Sequence, residues 1–335
     1  MVQLSCGFAG LYPSQLDAAP PAISSIGLDR YVETQYYELR LGSSQQLDYL
    51  VAISRRAASG LHRQIARHVS SQRGDCSRWS SLLGLIESFA DPRSWVGLTI
   101  PTLWLEFDDI NSDIVRAPSV CACLVAGYDS RHPVPVRDFE IELRQVHAVT
   151  DSLRMPYDKE REEKLNTCFR SAYDVRWIHL SIMLGRTPMA TKLYGRINRN
   201  QLLWFLRDIG WAGDFGAIRY ALKELYSCDL VGEELFIDLN LENFQRPGES
   251  TLGLSVAAQH QIGSGAHDPQ RNAVLERWQQ YGLCKPDKAL FAQSWVRGGQ
   301  HETPEQRSRR FLDLKLVWEA QSGFAPKAYL GRFCD

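Results

Sequence analysis

The sequence predicts a closed antiparallel β-barrel built from repeated strand–strand–helix–helix units, an α/β protein with its helices outside. Two observations predict it. First, short stretches alternate between large apolar residues and polar or aromatic ones, at residues 103–108, 177–183, 192–198, 236–242 and 327–331. Side chains in an extended strand point alternately to opposite faces, so Trp104, Glu106 and Asp108 share one face and Leu103, Leu105 and Phe107 the other. Second, the strands come in pairs separated by pairs of helices. A parallel sheet would interpose single helices between single strands, so paired strands argue for an antiparallel meander with helices on one side. An open sheet would leave Trp104, Trp177, Met183 and Tyr194 facing water. Closure removes the edges and turns that face into a lumen.

Each element follows from local pattern. Residues 1–25, with Pro13, Pro20 and Pro21, form an irregular lead-in to a single domain over 26–335. Residues 31–41 can extend, and a strand pair completing ten strands would lie there. Residues 45–69 read as a helix, with Leu47, Leu50, Val51 and Ile53 followed by Ala57, Leu61, Ile65 and Val69 at helical spacing. After a polar break at 71–77, a helix over 80–89 ends at Asp91-Pro92. Strands at 102–109 and 120–128 flank a turn at 111–118. A helical stretch over 138–173, interrupted at Pro156, leads to strands at 177–184 and 192–197. Helices at 200–209 and 215–227 enclose Gly210-Trp211-Ala212-Gly213, in which Trp211 serves packing. Strands at 234–241 and 251–259, helices at 270–281 and 285–296, and strands at 312–319 and 327–333 close the chain. The run Arg307, Arg309, Arg310 reads as a solvated helix end.

Composition narrows the function classes. The chain has 335 residues, 44% hydrophobic and 23% charged, with a formal net charge of -1. That balance offers no basic surplus for a nucleic-acid backbone. No apolar run approaches the roughly 20 residues that span a bilayer, and residues 1–12 lack the basic and apolar regions of a secretory signal. The eight cysteines form no Cys-x-x-Cys pair, so zinc-ribbon chemistry is not indicated. Reduced thiols in a cytoplasmic protein are expected, with neither a membrane nor a nucleic-acid partner. Gly-rich phosphate loops, the Gly-x-Ser-x-Gly elbow and His-Glu-x-x-His do not occur.

Pro101-Thr102-Leu103-Trp104-Leu105-Glu106-Phe107-Asp108, then Val115-Arg116, then Lys192-Leu193-Tyr194 and Lys327-Ala328-Tyr329, resemble in order and spacing the aromatic prenyltransferases of the ABBA fold, in particular the indole and peptide prenyltransferases. The resemblance covers about residues 100–333. It implies a prenyl donor in the form of an isoprenoid diphosphate and an aromatic acceptor, either a small molecule or a peptide. It also implies Glu106 as the carboxylate that orients the acceptor. Arg116, Lys192, Tyr194, Arg196, Lys327 and Tyr329 are the expected donor-side residues. One departure stands out: where that group carries Arg-x-Lys-x-Tyr in its third repeat, this chain reads Thr251-Leu252-Gly253-Leu254-Ser255, without a cation.

The residue types suit the reaction independently. Cations stabilise a departing diphosphate, tyrosine faces shield an allylic cation, and a carboxylate accepts a proton from an indole or phenol. His179 is a candidate for proton transfer, sharing the polar face with Trp177 and Ser181. Trp104, Trp177 and Asp238 are candidates for lining and orienting the substrate, Asp238 together with Asn240. Asp108, Asp109 and Asp113 are the candidate ligands for Mg²⁺, the one cofactor the sequence suggests, as a replacement for the missing positive charge. The alternatives are a non-catalytic partner protein using the lumen, and acid–base chemistry by Glu106 with His179.

Overall fold

The computed structural model describes residues 16, 19–71, 76–110, 116–124, 139–226, 233–256, 269–297 and 310–334. Ten strands appear in chain order: β1 (Val32–Arg40), β2 (Leu47–Ser54), β3 (Thr102–Phe107), β4 (Ser119–Cys123), β5 (Arg176–Ile182), β6 (Thr191–Asn198), β7 (Glu234–Asn240), β8 (Thr251–Val256), β9 (Arg310–Glu319) and β10 (Gly323–Phe333). Each pairs antiparallel with its chain neighbours, and β1 closes on β10 with Glu38 opposite Tyr329 and Arg40 opposite Lys327. Helices fill the intervals: α1 (Pro21–Ser25), α2 (Arg55–Ser71), α3 (Ser77–Ala90), α4 (Trp95–Thr99), α5 (Phe139–Ser152), α6 (Lys159–Phe169), α7 (Leu202–Asp208), α8 (Phe215–Tyr220) with a π turn over Ala221–Leu225, α9 (Pro269–Gln280) and α10 (Pro286–Arg297). This is the ten-stranded architecture of the ABBA prenyltransferase barrel.

The alternation read from the sequence positions the site. In β3, Leu103, Leu105 and Phe107 are buried in the core shared with the helices, while Trp104 and Glu106 alternate with them on the lumen face. In β6, Leu193 and Ile197 are buried and Lys192, Tyr194 and Arg196 take the other face. The helices answer with their own stripes: Ala58, Leu61 and Ile65 on α2, and Trp79, Leu82, Leu85, Ile86 and Phe89 on α3. Burying each such leucine or phenylalanine stabilises the layer by at most about 1.5–3 kcal/mol. Asp158 and Asp214 start α6 and α8 by accepting hydrogen bonds from the second and third N–H groups of each helix.

Four readings differ from the structure. The end of the lead-in is not irregular: Pro21 opens the short helix α1 over Pro21–Ser25, where a missing N–H costs nothing. The segment 45–54 is not helical: β2 occupies Leu47–Ser54, and α2 begins only at Arg55. Almost every β2 side chain is buried, on either face, which erases the period-two signal and leaves an apolar run that fits a helix equally well. The strand pair missing from the sequence reading is thus β1 and β2, and only β1 falls inside 31–41. Arg310 opens β9, is buried, and lies over the Trp295 ring at 4.3 Å, so it is not a solvated helix end. In β5 the register shifts between Trp177 and His179, a β-bulge that sends the two side chains to opposite faces.

Candidate functional site

The lumen wall is aromatic. Tyr36 on β1 contacts Trp104 on β3 at 5.2 Å, Phe311 on β9 at 4.9 Å and Tyr329 on β10 at 6.4 Å between ring centroids. A second plate runs across three neighbouring strands, with His179 stacked on Tyr194 at 5.4 Å and Tyr194 on Phe236 at 5.2 Å. Burial pushes His179 down to about 4, so the imidazole is neutral near pH 7 and serves as a third ring of the stack. Its titration carries a stability consequence. The unfolded chain binds a proton on His179 from pH 6.5 downward and the folded chain does not until about pH 4, so stability is full above 6.5 and falls across that window. The loss is expected to reach about 3 kcal/mol. A His179→Phe variant should keep that stability, which urea unfolding at pH 7 and pH 4.5 would measure. Equal acid sensitivity in both proteins would contradict a buried neutral imidazole.

Between the two plates lie ammonium groups paired with buried carboxylates. The Lys315 ammonium on β9 donates to Asp238 on β7 and sits 6.0 Å from the Tyr194 ring centre and 5.9 Å from that of Tyr329. Lys192 reaches the same Asp238 oxygen at 3.8 Å. Burial alone would raise the Asp238 carboxyl, but Lys192 and Lys315 outweigh it and hold the group well below the usual carboxylate range. Lys315 crosses β8 to make this contact, and it does so over Gly253. A Cβ at Gly253 would come within 2.5 Å of Lys315 Cε and 2.8 Å of Asp238 Cβ. The strand lacking a cation in the sequence therefore has one laid across it from its neighbour. Lys327 donates to Glu38 Oε1 at 2.7 Å, and Arg40 bridges Glu38 at 3.0 Å and Asp48 at 2.7 Å. Burial, seconded by the charges of Arg40, Lys315 and Lys192, brings Lys327 down to about 8 against the pull of Glu38.

At the hairpin end of the lumen, Arg186 from the β5–β6 turn closes the ring. Its Nη2 donates to Glu106 Oε1 at 2.7 Å, and its Nε to Asp108 Oδ2 at 3.0 Å. Burial raises the Glu106 carboxyl, and Arg186 offsets only part of that rise. Glu38, Asp48 and Glu106 bring carboxylate oxygens within 4.8 Å of one another, close enough to hold a divalent cation. Each already has a cation of the protein, Lys327 and Arg40 on Glu38, Arg40 on Asp48 and Arg186 on Glu106. Asp48 also accepts from Gln46 and from the Asp109 backbone N–H. A metal fits this trio only by displacing guanidinium or ammonium groups, so no chemical step below passes through one.

Several sequence candidates stand elsewhere. Trp177 is fully buried between Phe169 and Phe205 on the helix side, because the β5 bulge turns it away from His179. Arg116 is exposed, three residues before β4, and the guanidinium that does enter the lumen is Arg186. Arg196 pairs with Glu234 at 3.0 Å at the opposite end of the strands from Glu106. Asp108 is committed to Arg186, and Asp109 is exposed with φ 49° and contributes its N–H rather than its carboxylate. Asp113 lies outside the described residues. Sequence reasoning missed Glu38, Asp48, Arg186 and Lys315. The β9 alternation of Asp313, Lys315 and Val317 against Leu312, Leu314 and Leu316 carried a signal for Lys315, whereas Arg186 sits in a turn with none.

Solved structures resemble this barrel, AnaPT and NotF prenyltransferase among them. AnaPT from Neosartorya fischeri superposes with a TM-score of 0.58 at 10% sequence identity, covering 91% of this chain and 79% of that one. NotF prenyltransferase superposes with a TM-score of 0.52 at 12% identity, covering 89% of this chain and 79% of its own. No family's sequence profile and no curated protein sequence matches the chain. At such identities the likeness is one of fold. No helix among the described residues is long and apolar enough to cross a membrane.

Proposed function

We propose that the barrel is a prenyltransferase, moving a prenyl group from an allylic diphosphate to an aromatic or other electron-rich acceptor, a small molecule or a residue within a peptide. The observation that supports it most is the convergence of Lys192, Lys315 and Lys327 on a lumen faced by Tyr194 and Tyr329. In this reading the allylic C–O bond breaks heterolytically and its electron pair leaves with the diphosphate, whose growing charge the ammonium groups stabilise. Tyr194 and Tyr329 shield the allylic cation from water. An acceptor carbon attacks, forming the C–C bond, and the proton it sheds passes to Glu106, whose raised carboxyl suits a proton acceptor. Asp238 and Glu38 keep the lysines in place between turnovers.

The test is incubation of the full chain with allylic diphosphates of several chain lengths and a panel of aromatic acceptors, followed by mass spectrometry for the added prenyl mass. Glu106→Gln is expected to bind a thiolodiphosphate analogue like the unaltered chain while turning over roughly 100-fold more slowly, the usual size of a general-base contribution. Equal loss of binding and turnover would instead place Glu106 on the donor side. Absence of both binding and turnover with every chain length would refute the reading.

A further inference from the structure

On the outside of the barrel, α7 buries Leu202, Phe205 and Leu206 and turns Trp204 and Arg207 outward. Beside them, Arg199 from the end of β6 and Arg219 from α8 complete a groove of about 320 Å³ with Leu222 in its wall. Among the described residues none of these three arginines has a carboxylate within ion-pair distance, whereas Arg176, Arg246 and Arg271 do. Arg199 donates to the Leu222 carbonyl, and its Nη1 is buried without a hydrogen-bond partner. The Arg207 guanidinium lies over the Trp204 ring at 5.1 Å, although that ring is 55% exposed.

We infer that this groove is a binding site for a small, multiply charged oxyanion, a phosphate monoester or diphosphate. Three guanidinium groups around one concavity, none with a carboxylate within ion-pair distance among the described residues, create a local positive potential although the whole chain is slightly acidic. Guanidinium forks match phosphate oxygens in pairs, and stacking on an indole fixes the plane of one fork in advance. A concavity of this size lies at the small end of ligand pockets, which suits a phosphorylated metabolite better than an extended acidic peptide. The site is separate from the lumen and does not depend on prenyl transfer.

Isothermal titration of the full chain with inorganic diphosphate tests it. Saturable binding is expected at this groove, weakened roughly tenfold or more in Arg207→Gln/Arg219→Gln with the same weakening on raising salt from about 0.05 to 0.5 M, and distinct from any lumen component, which Lys315→Met weakens and the arginine variants spare. Diphosphate should also change tryptophan emission in the unaltered chain and not in Trp204→Phe. Arg219→Gln alone, at an exposed position, keeps the test intact where the double variant folds poorly. Unchanged binding in the arginine variants, no binding by the unaltered chain, or tighter binding of a glutamate peptide than of diphosphate would overturn the assignment. Weakening confined to the arginine variants reads this groove alone, whereas turnover of allylic diphosphates by the arginine variants, followed by mass spectrometry, reads the lumen alone.

Discussion

Lys315→Met is expected to lower prenyl transfer roughly 30- to 100-fold and to destabilise the fold by about 3 kcal/mol, two effects with different causes. In the proposed reaction, the first is the removal of one charged hydrogen bond to the departing diphosphate. The second arises because Asp238 is largely buried and would keep Lys192, 3.8 Å away, as its nearest cation in place of a direct hydrogen bond. Since Asp238 now sits well below its ordinary value, the stability it contributes is present above about pH 4 and is lost as pH falls. The difference between the two proteins should therefore be largest near neutrality and shrink in acid. The double variant Lys315→Met/Asp238→Asn separates the causes: it should regain stability in urea titrations and remain slow in turnover. Recovery of both together would make Lys315 a structural partner of Asp238 and nothing more, and wild-type turnover in Lys315→Met would remove the lysine from the reaction.

The same lysine shows where the sequence stops being readable. Period-two alternation located β3, β6, β7 and β10 and put Glu106, Lys192, Tyr194, Asp238, Lys327 and Tyr329 on their lumen faces, because one face of each strand is greasy and the other mixed. It failed at β2, where both faces are buried, and at β5, where a single bulge reverses the face of Trp177. The absence of a cation in 251–255 was read correctly along the strand. Its meaning changed across the strands, because Gly253 leaves the space through which Lys315 passes. Such a replacement depends on the β8–β9 register, which sets Gly253 opposite Val317 and Ser255 opposite Lys315. No spacing within either segment contains it.

Arg186 sits in a turn with no periodic signal, and its removal should have the second large effect. It is the guanidinium shared by Glu106 and Asp108, beside Glu38 and Asp48. Arg186→Ala leaves these carboxylates short of a cation in a partly buried site, at an expected cost of about 3–5 kcal/mol. The vacated place lies between the Glu106 and Asp108 carboxylates, while Arg40 and Lys327 still hold Glu38 and Asp48, and two carboxylates freed of their shared cation suit a divalent ion. Mg²⁺ or Ca²⁺ should therefore stabilise Arg186→Ala by about 1.4 kcal/mol at ten times the Kd, seen as a raised Tm, and leave the Tm of the unaltered chain nearly unchanged. Adding Glu106→Gln to Arg186→Ala should abolish the metal effect by removing a ligand. The decisive comparison is between the unaltered chain and the single variant under a magnesium titration followed by thermal unfolding. If both gain equally and Glu106→Gln removes the gain, the metal displaces the guanidinium and the acidic mouth of the lumen is a metal site; if Glu106→Gln leaves the gain, the metal binds elsewhere. If only the variant gains, the charge that a divalent ion would bring to this corner of the barrel is already supplied by the protein.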